Sequence, residues 1–235
     1  KLISQIEAQE KGYEFTLKLG LKTNTGDIEG EVESTDEGVS KSLNEVREIL
    51  PNFNGKILQT PPKFSAIKID GKRAYKSARE GKEIEMPQRE VNILELECLN
   101  SKESESNEFS FFCKCSKGTY IRTLGEDIAE ALGTIGTVSR IHRTHIGQFK
   151  NDVKENSEDF EMMDVRKALP HIPVLEIENQ DKEVLTHGNF LPLNKFEGKI
   201  DVLKTDTYFC VDQTDICICL AKIDKDHLKP KILLT

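Results

Sequence analysis

The stretch CSKGTYIRTLGEDIAEALG, residues 115–133, closes an alternating segment with Gly and Thr and opens what reads as a helix. Arg122 stands at that junction, with Ile121 and Thr123 on either side. A guanidinium in such a place is expected to be partly buried, and a buried guanidinium needs an anion to hold it. Tyr13 is a second residue with chemistry to offer. Its ring and hydroxyl suit a stacked nucleobase, although a half-buried packing role is what most tyrosines have. Cations gather in two places. Lys56, Lys63, Lys68, Lys72, Arg73, Lys76, Arg79 and Lys82 fall within 56–82 against only Asp70 and Glu80. Arg140, Arg143 and Lys150 fall within 137–150, with His142 and His145 and no acid. The whole chain carries a net charge of −8. Ordinary solvated charge is one reading of the two basic segments. A local anionic partner is the other, because the local field governs binding.

Other chemistries are missing from the sequence. It contains no G-x-S-x-G, H-E-x-x-H, P-loop or G-x-G-x-x-G pattern. Five scattered histidines suggest neither a metal site nor a Ser-His pair. The six cysteines form no C-x-x-C and sit in alternating stretches, so they read as semi-buried thiols rather than metal ligands. Neither metal nor cofactor is expected, and any reaction should rest on carboxylate, Arg and Tyr. Free thiols point to a reducing, cytoplasmic setting. No apolar run approaches the ~20 residues of a membrane span, and the opening KLISQIEAQEKGYEF has no apolar signal core. The chain opens without Met in an amphipathic helical pattern, so residues are expected upstream.

These residues must be positioned by a framework that the patterning outlines. YEFTLKLGL (13–21) alternates and reads as a strand. SKSLNEVREIL (40–50) reads as a helix ended by Pro51. KFSAIKI reads as a strand anchored by Phe64, Asp70-Gly71 as a turn, and KRAYKSARE as a helix. VNILELECLN and EFSFFCKCS form a hairpin, TVSRIHRTHIGQF another strand, and 158–168 a helix. The Pro170–Pro173 stretch marks a boundary, followed by short strands separated by Gly, Asn and Asp. The expectation is a mixed α+β domain at 1–170 around a mainly antiparallel sheet, then a small β-rich module at 174–235.

Four motifs in chain order now carry a resemblance. KGYEFTLKLGLKTNTGDIEG holds a Tyr and a T-x-T-x-D-x-x-G loop. Next comes a segment running from Phe53 through Q59-x-P61-P62-x-F64-S65-A66-x-K68 to R73-A74-Y75 and Arg79. CSKGTYIRTLGEDIAEALG and SRIHRTHIGQF follow. Together they resemble the signature of bacterial TruB-type tRNA pseudouridine synthases, in order to about residue 150, and the C-terminal module is more weakly similar to a PUA-like domain.

That resemblance implies a pseudouridine-synthase fold and an enzyme that isomerises uridine 55 in the tRNA T loop. The base must be extruded before its glycosidic bond breaks and a C–C bond forms to C5. By the same resemblance Tyr13 stacks the base and Arg122 pairs with the catalytic Asp, while Tyr120 and Ile141 line the base pocket. Asp27 is the loop Asp near the RNA, and Lys68, Lys72, Arg73, Arg79 and Arg143 meet its backbone. The partner is the T-arm loop of tRNA, with no membrane and a monomeric enzyme. The family's nucleophile lies in G-x-L-D-P-x-A-T-G, which is absent here and would align just before Lys1. Arg122 is therefore expected to face a carboxylate outside this sequence, and neither Asp27 nor Asp127 has the motif to replace it. Two other readings remain: a catalytically incomplete tRNA-binding or RNA-folding module, and a guide-RNA-dependent synthase of the dyskerin type.

Overall fold

A computed structural model of the chain describes residues 2–62, 67–69, 72–73, 86–101, 106–151, 163–201 and 204–234, with only the backbone of 68–69 and 72–73. The chain divides into two compact units: Glu7–Lys154, and Lys1–Ile6 together with Glu155–Thr235. The sequence placed the break near 170 and kept the first residues with the larger part.

In the Glu7–Lys154 unit, alternating burial builds one antiparallel sheet. Its strands are β1 (Lys11–Leu19), β4 (Gly55–Gln59), β7 (Arg89–Cys98), β8 (Glu108–Cys115), β9 (Gly136–Ile146) and β10 (Phe149–Lys150). The order across the sheet is β10-β9-β1-β8-β7-β4. β1 is central, with Phe15 opposite Phe111 on β8. The two rings stack with centroids 5.1 Å apart. Phe15, Leu17 and Leu19 alternate into the core with Phe109, Phe111 and Cys113, the two-residue period of a strand buried on one face.

Helix α3 (Ile121–Ala131) covers that face. Ile121, Leu124, Ile128 and Leu132 recur at helical spacing and are buried. Gly125 permits the close approach, since a β-carbon there would lie 2.6 Å from the Val138 side chain on β9. Helix α2 (Leu43–Ile49) starts at Ser42, which forms a reciprocal capping box with Glu45. The helix expected over 40–50 thus ends at Ile49, where Pro51 enters a 3-10 turn, Leu50–Phe53.

Two small hairpins complete the unit: β2 (Leu21–Thr23) with β3 (Val32–Thr35), and β5 (Lys68–Ile69) with β6 (Lys72–Arg73). The second is a correction. Lys72 and Arg73 were expected to start a helix, but they pair antiparallel with Ile69 and Lys68. Helix propensity is a weak preference of under about 1 kcal/mol per residue, and strand pairing outweighs it here. Phe64, Ser65, Tyr75 and Arg79 lie outside the described residues.

The other unit is built on a five-stranded sheet, order β11-β13-β14-β15-β12. The strands are β11 (Val174–Glu176), β12 (Leu191–Pro192), β13 (Thr207–Val211), β14 (Cys217–Asp224) and β15 (His227–Leu233). All pairs are antiparallel except β11 with β13. Helix α4 (Val165–Ala168) lies within the expected 158–168, of which 158–162 fall outside the described residues, and is capped by the Asp164 carboxylate on the Arg166 amide at 2.8 Å. Helix α5 (Asn179–Thr186) lends Leu185 to the core with Tyr208, Cys210 and Cys219. Leu2 and Ile6 explain why the first residues belong here. They lie on one side of α1 (Ile3–Glu7) and its leading residue, and pack against the cluster of Leu169, Ile172, Phe209 and Leu220. All six cysteines are free, and Cys113, Cys115, Cys210 and Cys219 are buried. Among the described residues no helix is long and apolar enough to cross a membrane.

Candidate active site

The anion for Arg122 lies in the loop between β2 and β3. Arg122 Nη1 is 2.7 Å from Asp27 Oδ2 and donates to the Thr25 carbonyl at 3.3 Å. The T-x-T-x-D-x-x-G spacing now has a physical meaning. Thr25 Oγ1 donates to Asp27 Oδ1 at 2.8 Å, and the Glu29 amide donates to the same oxygen at 3.2 Å. Thr23 Oγ1 donates to the Asp27 carbonyl at 2.7 Å and lies 3.0 Å from Thr137 Oγ1, both threonines being buried. Gly30 closes the loop against Thr25, whose hydroxyl occupies the space a β-carbon would need. The Ile28 amide donates to the Val138 carbonyl, and the Val138 amide to the Gly26 carbonyl, which ties the loop to β9. One carboxylate oxygen is consumed by the loop, so the other is left for the guanidinium.

Arg122 is not saturated by this contact. Among the described residues its Nε and Nη2 make no hydrogen bond, and its side chain is 37% exposed. The sequence reading had Arg122 facing a carboxylate from outside the chain. Within the chain its first partner is Asp27, and two nitrogens of the planar fork stay available for a second anion.

Tyr120 immediately precedes α3 and occupies its N-cap position without a side-chain cap. Its backbone is held instead by Gln59, the last residue of β4, which is 1% exposed. The Tyr120 amide donates to Gln59 Oε1 at 3.0 Å, and Gln59 Nε2 donates to the Tyr120 carbonyl at 3.3 Å. The sequence reading quoted Gln59 within its motif but gave it no role. The signal was the Q-x-P-P spacing, and the contact itself runs to backbone, which residue types do not reveal.

Tyr13 lies on β1 opposite Arg143 of β9 and Cys113 of β8, half-buried at the end of the core. Burial raises the pKa of its hydroxyl, while the charge and hydrogen bond of Arg143 pull it the other way. Ile141 stands on β9 opposite Phe15 and is 42% exposed, an apolar surface beside the sheet. His142 is opposite Glu14, and His145 stacks on Phe112 with centroids 6.4 Å apart. Lys68, Lys72 and Arg73 share the β5–β6 hairpin, which follows Gln59 and the two prolines in sequence.

One turn beyond Arg122, Glu126 and Asp127 border a cavity of about 550 Å³ with Lys22, Thr60, Thr123 and Glu130. Burial pushes the Asp127 carboxyl up to about 6, with Glu130 adding to it, and burial also raises Glu126. The structure brings Arg122 to Asp27 and Tyr120 to Gln59 around the start of α3, while Tyr13, Arg143 and Ile141 gather on the paired strands β1 and β9.

Residues 1–121 match the model of the TruB family pseudouridylate synthase, N-terminal domain. The tRNA pseudouridine synthase B of Rickettsia africae is 36% identical over 198 residues, covering 80% of this chain and 57% of that protein. The same-named protein of Rickettsia akari is 44% identical over 161 residues, covering 68% of this chain and 54% of that protein. The chain therefore spans less than two thirds of the length of these relatives. In fold it is similar to a chain from an H/ACA RNP bound to a substrate RNA containing 2'-deoxyuridine. The TM-score is 0.64 at 16% identity, over 100% of this chain and 68% of that one. A chain of a Cbf5-Nop10-Gar1 complex gives a TM-score of 0.62 at 19% identity, over 98% of this chain and 68% of that one.

Proposed function

The chain belongs to the TruB family of pseudouridylate synthases, and from that premise we propose that it serves an enzyme converting uridine 55 of the tRNA T loop to pseudouridine. The observation that carries the reading is the 36% identity to a tRNA pseudouridine synthase B over 198 residues. A target base must leave its stack at a cost of a few kcal/mol and be held by an aromatic face, the role proposed for Tyr13, with Tyr120 and Ile141 as pocket walls.

The nucleophile is an aspartate in a G-x-L-D-P segment upstream of Lys1, and the Nε and Nη2 of Arg122, which make no hydrogen bond among the described residues, orient its carboxylate. Asp27 then acts on Arg122 through its salt bridge. Arg143 and the cations Lys68, Lys72, Arg73 and Arg79 contact the RNA backbone, where each neutralised phosphate makes binding more salt-dependent. The enzyme works as a monomer in the cytoplasm without metal or cofactor.

The test is direct. The full-length gene product is incubated with an unmodified tRNA transcript, beside a variant in which the aspartate of G-x-L-D-P is Asn. Pseudouridine at position 55 in the first reaction only is the expected result. A gene product that binds tRNA but forms no pseudouridine supports the non-catalytic RNA-binding reading instead.

A further inference from the structure

We propose that Gln59 is a positioning residue of this active site, acting through the backbone of Tyr120. The inference rests on the synthase reading above and assigns a role that the reading leaves empty. Three observations carry it. Gln59 is buried, with 1% of its surface exposed, at the end of an edge strand where a polar side chain needs a reason to be inside. Its amide bonds one residue twice, accepting from the Tyr120 N–H at 3.0 Å and donating to the Tyr120 carbonyl at 3.3 Å. That residue begins the helix bearing Arg122, and its carbonyl also accepts the first helical bond, from the Leu124 amide at 3.0 Å.

A helix start is the least constrained part of a helix, because its first amides have no partner within it. Tyr120 has no side-chain cap, and Gln59 supplies from another strand an acceptor for the amide of Tyr120 itself. Orientation of α3 at its reactive end thus depends on one buried carboxamide. Gln59 also immediately precedes Thr60, Pro61 and Pro62, which lead to the hairpin bearing Lys68, Lys72 and Arg73.

The experiment uses the full-length gene product and two variants. Gln59→Met keeps the volume and removes both hydrogen bonds. Gln59→Glu is the discriminating variant, because a protonated carboxyl donates and accepts as the carboxamide does, whereas a carboxylate only accepts. Loss of positioning by ~1 Å can cost ~10²-fold in rate. The expected results are a kcat at least about tenfold lower for Gln59→Met with KM for tRNA within about twofold of wild type. For Gln59→Glu, kcat should approach wild type at low pH and fall as its carboxyl ionises. The proposal is overturned if Gln59→Met keeps wild-type kcat, if its defect lies in KM alone, or if Gln59→Glu follows the wild-type pH profile. Should Gln59→Met not fold, the Gln59→Glu profile decides. If the wild-type protein forms no pseudouridine, the functional reading fails separately. Hydrogen exchange at the Tyr120 amide, compared with wild type at one fixed pH, then supports the clamp if it is faster in Gln59→Met and refutes it if unchanged.

Discussion

The guanidinium of Arg122 meets the carboxylate of Asp27 at 2.7 Å, and other groups hold the carboxylate at that orientation. Thr25 and the Glu29 amide fix one oxygen of Asp27, so the pair is oriented before any substrate arrives. Preorganised charge of this kind is worth far more to a reaction than a mobile ion pair.

Asp27→Asn keeps the shape of the loop and weakens the hold on Arg122. We expect kcat to fall by about 10²-fold with little change in thermal stability, since partly exposed pairs contribute only ~0–1 kcal/mol. Arg122→Lys should be as damaging as Arg122→Ala, because an ammonium cannot serve two carboxylates through a planar fork. Rates of pseudouridine formation at saturating tRNA check both, and a Lys variant with near wild-type turnover would contradict the assignment.

Tyr13 and Arg143 separate ring from hydroxyl. Tyr13→Ala should weaken binding of a T-loop RNA by about 1–3 kcal/mol, the range for one stacked base. Tyr13→Phe preserves the ring and loses only the hydrogen bond with Arg143, so RNA affinity should stay close to wild type. Arg143→Ala should reduce the salt dependence of RNA binding by about one unit of slope if it contacts a phosphate. Titrations at several salt concentrations separate the three.

Asp127 predicts a pH dependence of stability. Its carboxyl titrates near about 6 in the folded chain through burial, against ~3.9 when unfolded. The folded state therefore binds the proton more tightly. The associated stabilisation is complete below the unfolded pKa and is lost as pH rises through about 6. Asp127→Asn should flatten this slope and raise the melting temperature above pH ~6 by a few degrees. Thermal melts across this range check the sign, and a steeper slope in the variant would refute it.

In the C-terminal unit, Asp212 is 4% exposed and organises the turn between β13 and β14. Its Oδ1 accepts from the Thr214 and Ile216 amides, both at 3.0 Å, and its Oδ2 from Lys182 Nζ at 2.7 Å. Lys182 and Thr214 hold this carboxyl well below the usual carboxylate range. Asp212→Ala leaves those donors without an acceptor and should lower stability, measured by denaturant unfolding. Asp212→Asn should cost less, because the turn amides keep an oxygen. The wild-type contribution is present above the unfolded Asp pKa and fades as pH falls below it.

The framework was legible because strand burial writes itself as alternation. The stretches 13–21 and 108–116 read as strands from their alternation, and the segment that follows the Arg122 junction read as a helix. Lys72 and Arg73 misled because helix propensity is local and strand pairing is not. Arg122 announced that it wanted an anion, yet Asp27 could not be matched to it from sequence. That match depends on Val138 pinning the loop, a contact between distant segments. Gln59 was still less readable, since its partner is peptide backbone and every residue has one. The family motifs held these residues all along; the sequence supplied their spacing and withheld their contacts.

Leu2 and Ile6 have a consequence for how the protein is made. They precede the Glu7–Lys154 unit in the chain, but the residues they pack on include Leu169, Phe209 and Leu220, which are synthesised only after that unit. Contacts so far apart in sequence close slowly. The Glu7–Lys154 unit can complete its sheet while synthesis continues, as domains generally fold in the order they are made. Helix α1 must wait, its apolar side uncovered, until Phe209 and Leu220 have been translated. A truncation before Leu169 would therefore leave Leu2 and Ile6 exposed, and proteolysis of such incomplete chains should begin at α1.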